Sequence, residues 1–202
     1  MRTLNVLSKA KMSQPWRTCR LEHTVMNWKE FKVKSEDKFR NLKIENCWGF
    51  QIQPGTTWNP GLNKYEIEAL EKLFGFEFPF DYKDMLLTIN GFDRDQIAID
   101  PDGKEANEFG RRMYKYPEDH ETTFSLRQEI KDNINYVNEE LQLSGFDTEK
   151  VVGFVPLYSH RAMAVFTDKS LSLVISIHQG DDVIVYSNSL MDYWKKEFDL
   201  DR

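Results

Sequence analysis

The side chains able to do chemistry are few and scattered. Histidines stand at His23, His120, His160 and His178, far apart in the chain, and none has a Cys or His neighbour at metal-ligand spacing. Asp100-Pro101-Asp102-Gly103 has the look of a calcium loop, but Ala98 and Phe109 occupy positions that must supply oxygen ligands, so it reads as a turn. Cys19 and Cys47 fit no disulfide framework and no metal spacing. Cys47 lies in an apolar run and reads as a small core residue. The chain has no Gly-x-Ser-x-Gly elbow, no phosphate-binding loop and no Gly-x-Gly-x-x-Gly turn. Among 33 acidic residues some pair can always be proposed for acid/base work, so residue type alone selects none. The reading predicts no catalytic residue, no metal and no cofactor.

What remains is surface chemistry. Residues 1–50 hold 11 Lys+Arg against 5 Asp+Glu, whereas residues 51–202 hold 16 against 28. An acidic body repels phosphate backbones, which disfavours nucleic acid, and steers a basic protein partner toward it. Two loop segments are the candidate partner-binding residues: Asp93, Asp95, Asp100 and Asp102 in one, His160 and Arg161 in the other. His178 falls on the Ser172/Val174/Ser176 face of a strand and reads as a packed or solvated residue. The basic stretch Trp28 to Lys43, interleaved with aromatics, reads as an amphipathic helix rather than a nucleic-acid site.

These groups need a scaffold, and the composition supplies one. Apolar residues are 40% of the chain, enough for a sizeable core in a single domain of this length. No apolar run approaches the ~20 residues of a membrane span. Met1 to Arg20 lacks the apolar centre of a secretory signal, so the expectation is a cytoplasmic protein with reduced thiols and no membrane contact.

Periodicity predicts the elements. Residues 1–24 read as an arm, and 25–202 as the domain. Met26 to Leu42 is a helix, and Cys47 to Gln53 a strand, followed by a turn-rich stretch from Pro54 to Gly61. Asn63 and Glu66 form a capping box for a helix whose buried stripe is Ile67, Leu70 and Leu73/Phe74, with Gly75 as its stop. Pro79 opens a second helix with inner face Tyr82, Met85/Leu86 and Ile89, ended by Asn90-Gly91. Gln96 to Ile99 is a strand, and Thr123 to Ser144 one long helix carrying Leu126, Ile130, Ile134, Val137 and Leu141. Val151 to Tyr158, Ala162 to Phe166, Leu171 to His178 and Val183 to Tyr186 are strands joined too closely for crossovers, so they form an antiparallel meander. Ser189 caps a last helix with Tyr193, Trp194 and Phe198 inward. The fold class expected is α+β: a mostly antiparallel central sheet with helices packed on it, an N-terminal helical extension, and alternation in the third strand that suits one buried face.

The hairpin pattern Ile67-x-x-Leu70-Glu71-x-x-Phe74-Gly75-x-x-x-Pro79-x-Asp81-Tyr82-x-x-x-Leu86-x-x-x-Asn90-Gly91 resembles the signature of the SUKH superfamily, which includes bacterial immunity proteins and yeast regulators of cell-wall synthesis. Val152-Gly153-Phe154-Val155-Pro156-Leu157, the sheet after it and the closing helix through Trp194 are also similar, and Trp48-Gly-Phe…Trp58 resembles one bacterial subgroup. The likeness covers about residues 46–198. It implies a central sheet with helices on it, no shared catalytic site, and a protein partner, in bacteria often a toxin that the immunity protein blocks. Where many relatives continue with a Gly-Asp-type turn, this chain has Tyr158-Ser159-His160-Arg161, so no particular partner carries over.

The function expected is therefore a non-catalytic protein-binding module of the immunity type that neutralises a basic toxin domain. The alternatives are a regulatory scaffold binding a host or cell-envelope factor, and an unrecognised enzyme using His120 or His160.

Overall fold

A computed structural model describes residues 26–45, 49–100, 102–106, 113–178 and 182–200. The arm at 1–24, Cys47 and Trp48 lie outside the described residues.

Asn27 accepts from the Glu30 N–H and starts helix α1 (Trp28–Arg40), whose Trp28, Phe31, Ser35 and Phe39 are buried at helical spacing. The short strands β1 (Gly49–Gln51) and β2 (Trp58–Pro60) follow. Helix α2 (Lys64–Phe74) has the predicted capping box between Asn63 and Glu66, and Gly75 closes it with φ 84°. Ile67 and Leu70 are buried as expected, but Leu73 is 50% exposed and falls outside the stripe. Pro79 stands one position before α3 (Phe80–Thr88). Glu71 ties the two helices, accepting from the Phe78 N–H at 2.7 Å and pairing with Lys83 at 2.9 Å.

Asn90-Gly91 does not stop α3 as the reading expected. The chain passes directly into β3 (Ile89–Phe92), which pairs with β2. The reason is tertiary. Buried Asn90 holds the backbone of Tyr116 from both sides, donating to its carbonyl at 2.6 Å and accepting its N–H at 3.0 Å. Gly91 has φ 73°, and a Cβ there would stand 2.9 Å from the Met113 carbonyl oxygen.

β4 (Ile97–Ile99) matches the predicted strand and lies between β1 and β5 (Glu105–Ala106). The single long helix expected from Thr123 to Ser144 is two, α4 (Phe124–Asp132) and α5 (Ile134–Leu143). Asn133 breaks it: φ −108° and ψ 21° leave the helical region, and its side chain bonds back to the Glu129 carbonyl at 3.0 Å.

The meander forms as predicted. β6 (Val151–Tyr158), β7 (Arg161–Phe166), β8 (Leu173–His178) and β9 (Asp182–Ser187) pair antiparallel in that order, and α6 (Leu190–Glu197) follows with Ser189 as its cap. The one-buried-face expectation is corrected. Val155, Leu157, Met163, Val165 and Val174 pack toward α1, α2, α3 and α6. Ala162, Ala164, Phe166, Leu173, Ile175 and Ile177 pack on the other side against α4 and α5. Alternation alone makes Ser172 and Ser176 look solvated, but both are buried and bonded. Ser172 donates to Asp81 at 3.2 Å and accepts the Leu190 N–H at 3.1 Å, while Ser176 accepts from Arg161 at 2.8 Å. The molecule is thus an α+β domain with a sheet between two helical layers.

The larger core holds α1 and α6 in place through aromatic rings. Phe198 lies 5.1 Å from Phe39, 5.9 Å from Trp58 and 5.4 Å from Trp194, the last nearly parallel at 11°. The N-terminal helix is therefore part of the core.

Candidate partner-binding surface

The acidic segment runs from the end of β3 into β4 and the turn after it. Asp93 is not an unpartnered charge. Its Oδ1 accepts the Thr57 N–H at 2.9 Å, and Arg94 binds it with a closest approach of 2.9 Å. Partial burial by itself would push the Asp93 carboxyl up, but the bonds from Arg94 and Thr57 outweigh it and hold the group below the usual carboxylate range. Asp100 closes its own turn, accepting the Lys104 N–H at 2.8 Å while its backbone exchanges bonds with Lys104 and Gly103. Two of the four predicted acids are thus used in holding the loops. Asp95 and Asp102, like Asp93, are exposed, and the Asp95 carbonyl is anchored by the Gln53 side chain at 2.7 Å.

His160 and Arg161 sit where β6 turns into β7. Tyr158 pairs with Arg161, leaving a two-residue turn in which Ser159 takes φ 50°. Ser159 Oγ meets His160 Nδ1 at 3.1 Å, and Arg161 contacts His160 Nε2. The guanidinium also donates to Ser176 and lies 4.3 Å from the centre of the Tyr186 ring.

The antiparallel register of β7 and β8 adds a residue the reading set aside. His178 stands beside His160, ring centres 5.3 Å apart, although 18 positions separate them in the chain. Its strand face was legible; its neighbour depended on the register. His120 lies elsewhere, buried edge-on against Phe74 at 5.1 Å, with burial and then the Arg127 charge pushing its imidazole below the usual value.

The acidic segment and the turn meet. Tyr158 donates to Gln96 Oε1 at 2.6 Å, and Tyr114 donates to the Ser159 carbonyl at 3.1 Å. A cavity of about 360 Å³ opens at this seam, lined by Gln96 and Tyr158 with Phe92, Met113, Trp194 and Phe198 deeper in. Lys38, paired with Asp199 at 3.2 Å, and Glu197 border it. Burial raises the Glu197 carboxyl and the Arg161 charge opposes that rise, so the turn is felt at the cavity. The Trp194 Nε1 is buried without an acceptor.

The arrangement offers exposed carboxylates, a guanidinium on an aromatic ring, and an aromatic-lined recess. Among the described residues no three metal-ligating side chains converge, and no helix is long and apolar enough to cross a membrane.

Compared with protein-family models, with curated proteins and with solved structures, the chain has no match. The geometry therefore carries the functional argument.

Proposed function

We propose that this chain is a non-catalytic protein-binding module, an immunity-type member of the SUKH superfamily that binds and neutralises a basic toxin domain. The observation that carries this reading is the Tyr158–Gln96 bond, which joins the two loop segments singled out in the sequence into one surface. Asp95 and Asp102 supply exposed negative charge for encounter with a basic partner, chiefly through the association rate. The recess beside Gln96 and Tyr158 receives an apolar or aromatic side chain, as interface anchors do. Arg161, stacked on Tyr186, is ordered before binding and pairs with a carboxylate or carbonyl of the same partner.

The test is affinity capture from the source cell with the tagged full chain, at low and at high salt. The reading expects a stoichiometric basic protein, released by salt and toxic when expressed alone. With that protein in hand, Asp95→Lys together with Asp102→Lys slows association at low salt and changes little at high salt. Capture of no protein at either salt, or kinetics indifferent to both substitutions, sinks it.

A further inference from the structure

Among the described residues, the outer edge of β9 is unpaired. It is the last strand of the four-stranded sheet, and among the described residues it is bonded only to β8, with no backbone hydrogen bond reaching Val183–Tyr186 from its other side. Such a row of N–H and C=O groups is a template for another strand, and natural edges are commonly guarded by charge or proline. Val183, Ile184, Val185, Tyr186 and Ser187 carry neither. Ile184 is 47% exposed and Tyr186 42%, and residues two apart share a strand face. Tyr186 is also held in place, by Arg161 over its ring and by Tyr193 edge-on at 5.8 Å.

We propose that β9 pairs antiparallel with β9 of a second copy of this chain, across a two-fold axis at Val185. The sequence of the strand is self-complementary about that point. With Val185 facing its own copy, Ile184 of each chain faces Tyr186 of the other, which covers both exposed apolar side chains in two aliphatic–aromatic cross-strand pairs. Val183 then faces Ser187, and Asp182 faces Asn188 rather than a second carboxylate, so no like charges oppose each other. The interface is isologous and closes at two copies, and the two sheets become one. An unrelated extended peptide would satisfy the same backbone groups, but nothing in the strand selects its side chains, whereas the Ile184/Tyr186 spacing selects this one.

The experiment is sedimentation velocity on the purified full chain, from low micromolar to several hundred micromolar. The dimer fraction rises with concentration in the wild type. Ile184→Lys, at an exposed position where far-UV circular dichroism and melting stay as in the wild type, remains monomeric at the highest concentration. Independently, with Cys19 and Cys47 replaced by serine, Val185→Cys forms a disulfide-linked dimer under mild oxidation. Val152→Cys, 40% exposed on β6 across the sheet, does not. A wild-type chain that is monomeric throughout overturns the proposal. So does a dimer that Ile184→Lys leaves intact, because its contact lies elsewhere.

Discussion

The phenol of Tyr158 donates to the side chain of Gln96, 62 residues earlier, at 2.6 Å. This bond crosses from the central sheet to the residue just before β4 of the small sheet, and it lies at the rim of the aromatic cavity. Tyr158→Phe keeps the ring and removes the bond, so it should lower stability by about 1 kcal/mol in a urea titration. A double-mutant cycle with Gln96→Ala isolates the pair. A coupling energy near zero would show that the two segments are not joined there.

Asp81 gathers donors from three elements: Trp28 Nε1 at 2.8 Å, the Ser172 hydroxyl at 3.2 Å and the Met191 N–H. Burial nevertheless dominates and pushes its carboxyl above the ordinary 3.8, with the three bonds pulling the other way. The folded state then holds this proton more tightly than the unfolded chain. Its contribution is full below the unfolded value and is lost as pH rises through the raised folded one. The stability of the wild type minus that of Asp81→Asn should fall as pH rises above about 4. A difference that grows with pH reverses the assignment.

His120 should act with the opposite slope. It is 8% exposed, and its imidazole is held below the usual value first by burial and then by Arg127, against a smaller pull from Glu121. The unfolded chain takes up the proton first, so stability present above about pH 6.5 is lost as pH falls toward the folded value. His120→Gln should flatten this part of the pH–stability curve, measured by thermal unfolding in matched buffers. An unchanged curve would mean that His120 is freely protonated in the fold.

Phe198 closes the domain just beyond α6, its ring within 6.1 Å of the centres of Phe31, Phe39, Trp58, Phe92 and Trp194. Phe198→Ala leaves a void shared by α1, β2, β3 and α6. The expected loss is about 4 kcal/mol by denaturant titration. A loss below about 1 kcal/mol would show that α1 and α6 are not packed through this ring.

Gly61 is required by close approach. A Cβ there would stand 2.3 Å from the Leu87 carbonyl carbon and 2.6 Å from the Thr88 nitrogen, both backbone atoms that cannot rotate away. Gly61→Ala must push α3 from the β2–α2 connection, at a cost of about 3 kcal/mol read as a lowered melting temperature. Gly55→Ala meets no atom within 4 Å, although its φ of 75° also strains an alanine, so the pair separates crowding from backbone conformation.

Local chemistry explains what was legible in the sequence. The capping box at Asn63 and Glu66, the left-handed stop at Gly75, the Ser189 cap and the antiparallel meander each rest on residues within a few positions of one another. Such signals act through nearby backbone groups and hold in any tertiary setting that keeps the element. The acidic segment and the His160-Arg161 turn were legible as polar loops, but His160 and Arg161 are half-buried because Ser176 and Tyr186 hold the guanidinium.

What the tertiary structure decided depends on partners distant in the chain. Asn90-Gly91 has the composition of a helix stop, but Tyr116 draws Asn90 into a strand. Ser172 and Ser176 look solvated by alternation, yet Asp81, Leu190 and Arg161 satisfy them in the interior, so the sheet is covered on both faces. The neighbours His160 and His178 are brought together by strand register, and Tyr158 and Gln96 by a hydrogen bond from the central sheet to the residue just before β4. By itself the sequence determined most of the helices and the strands of the meander, because propensity, capping and period act over a few residues. Which faces are buried and which loops share a surface was decided only by the fold, because a polar group can be buried wherever some remote part of the chain completes its hydrogen bonds.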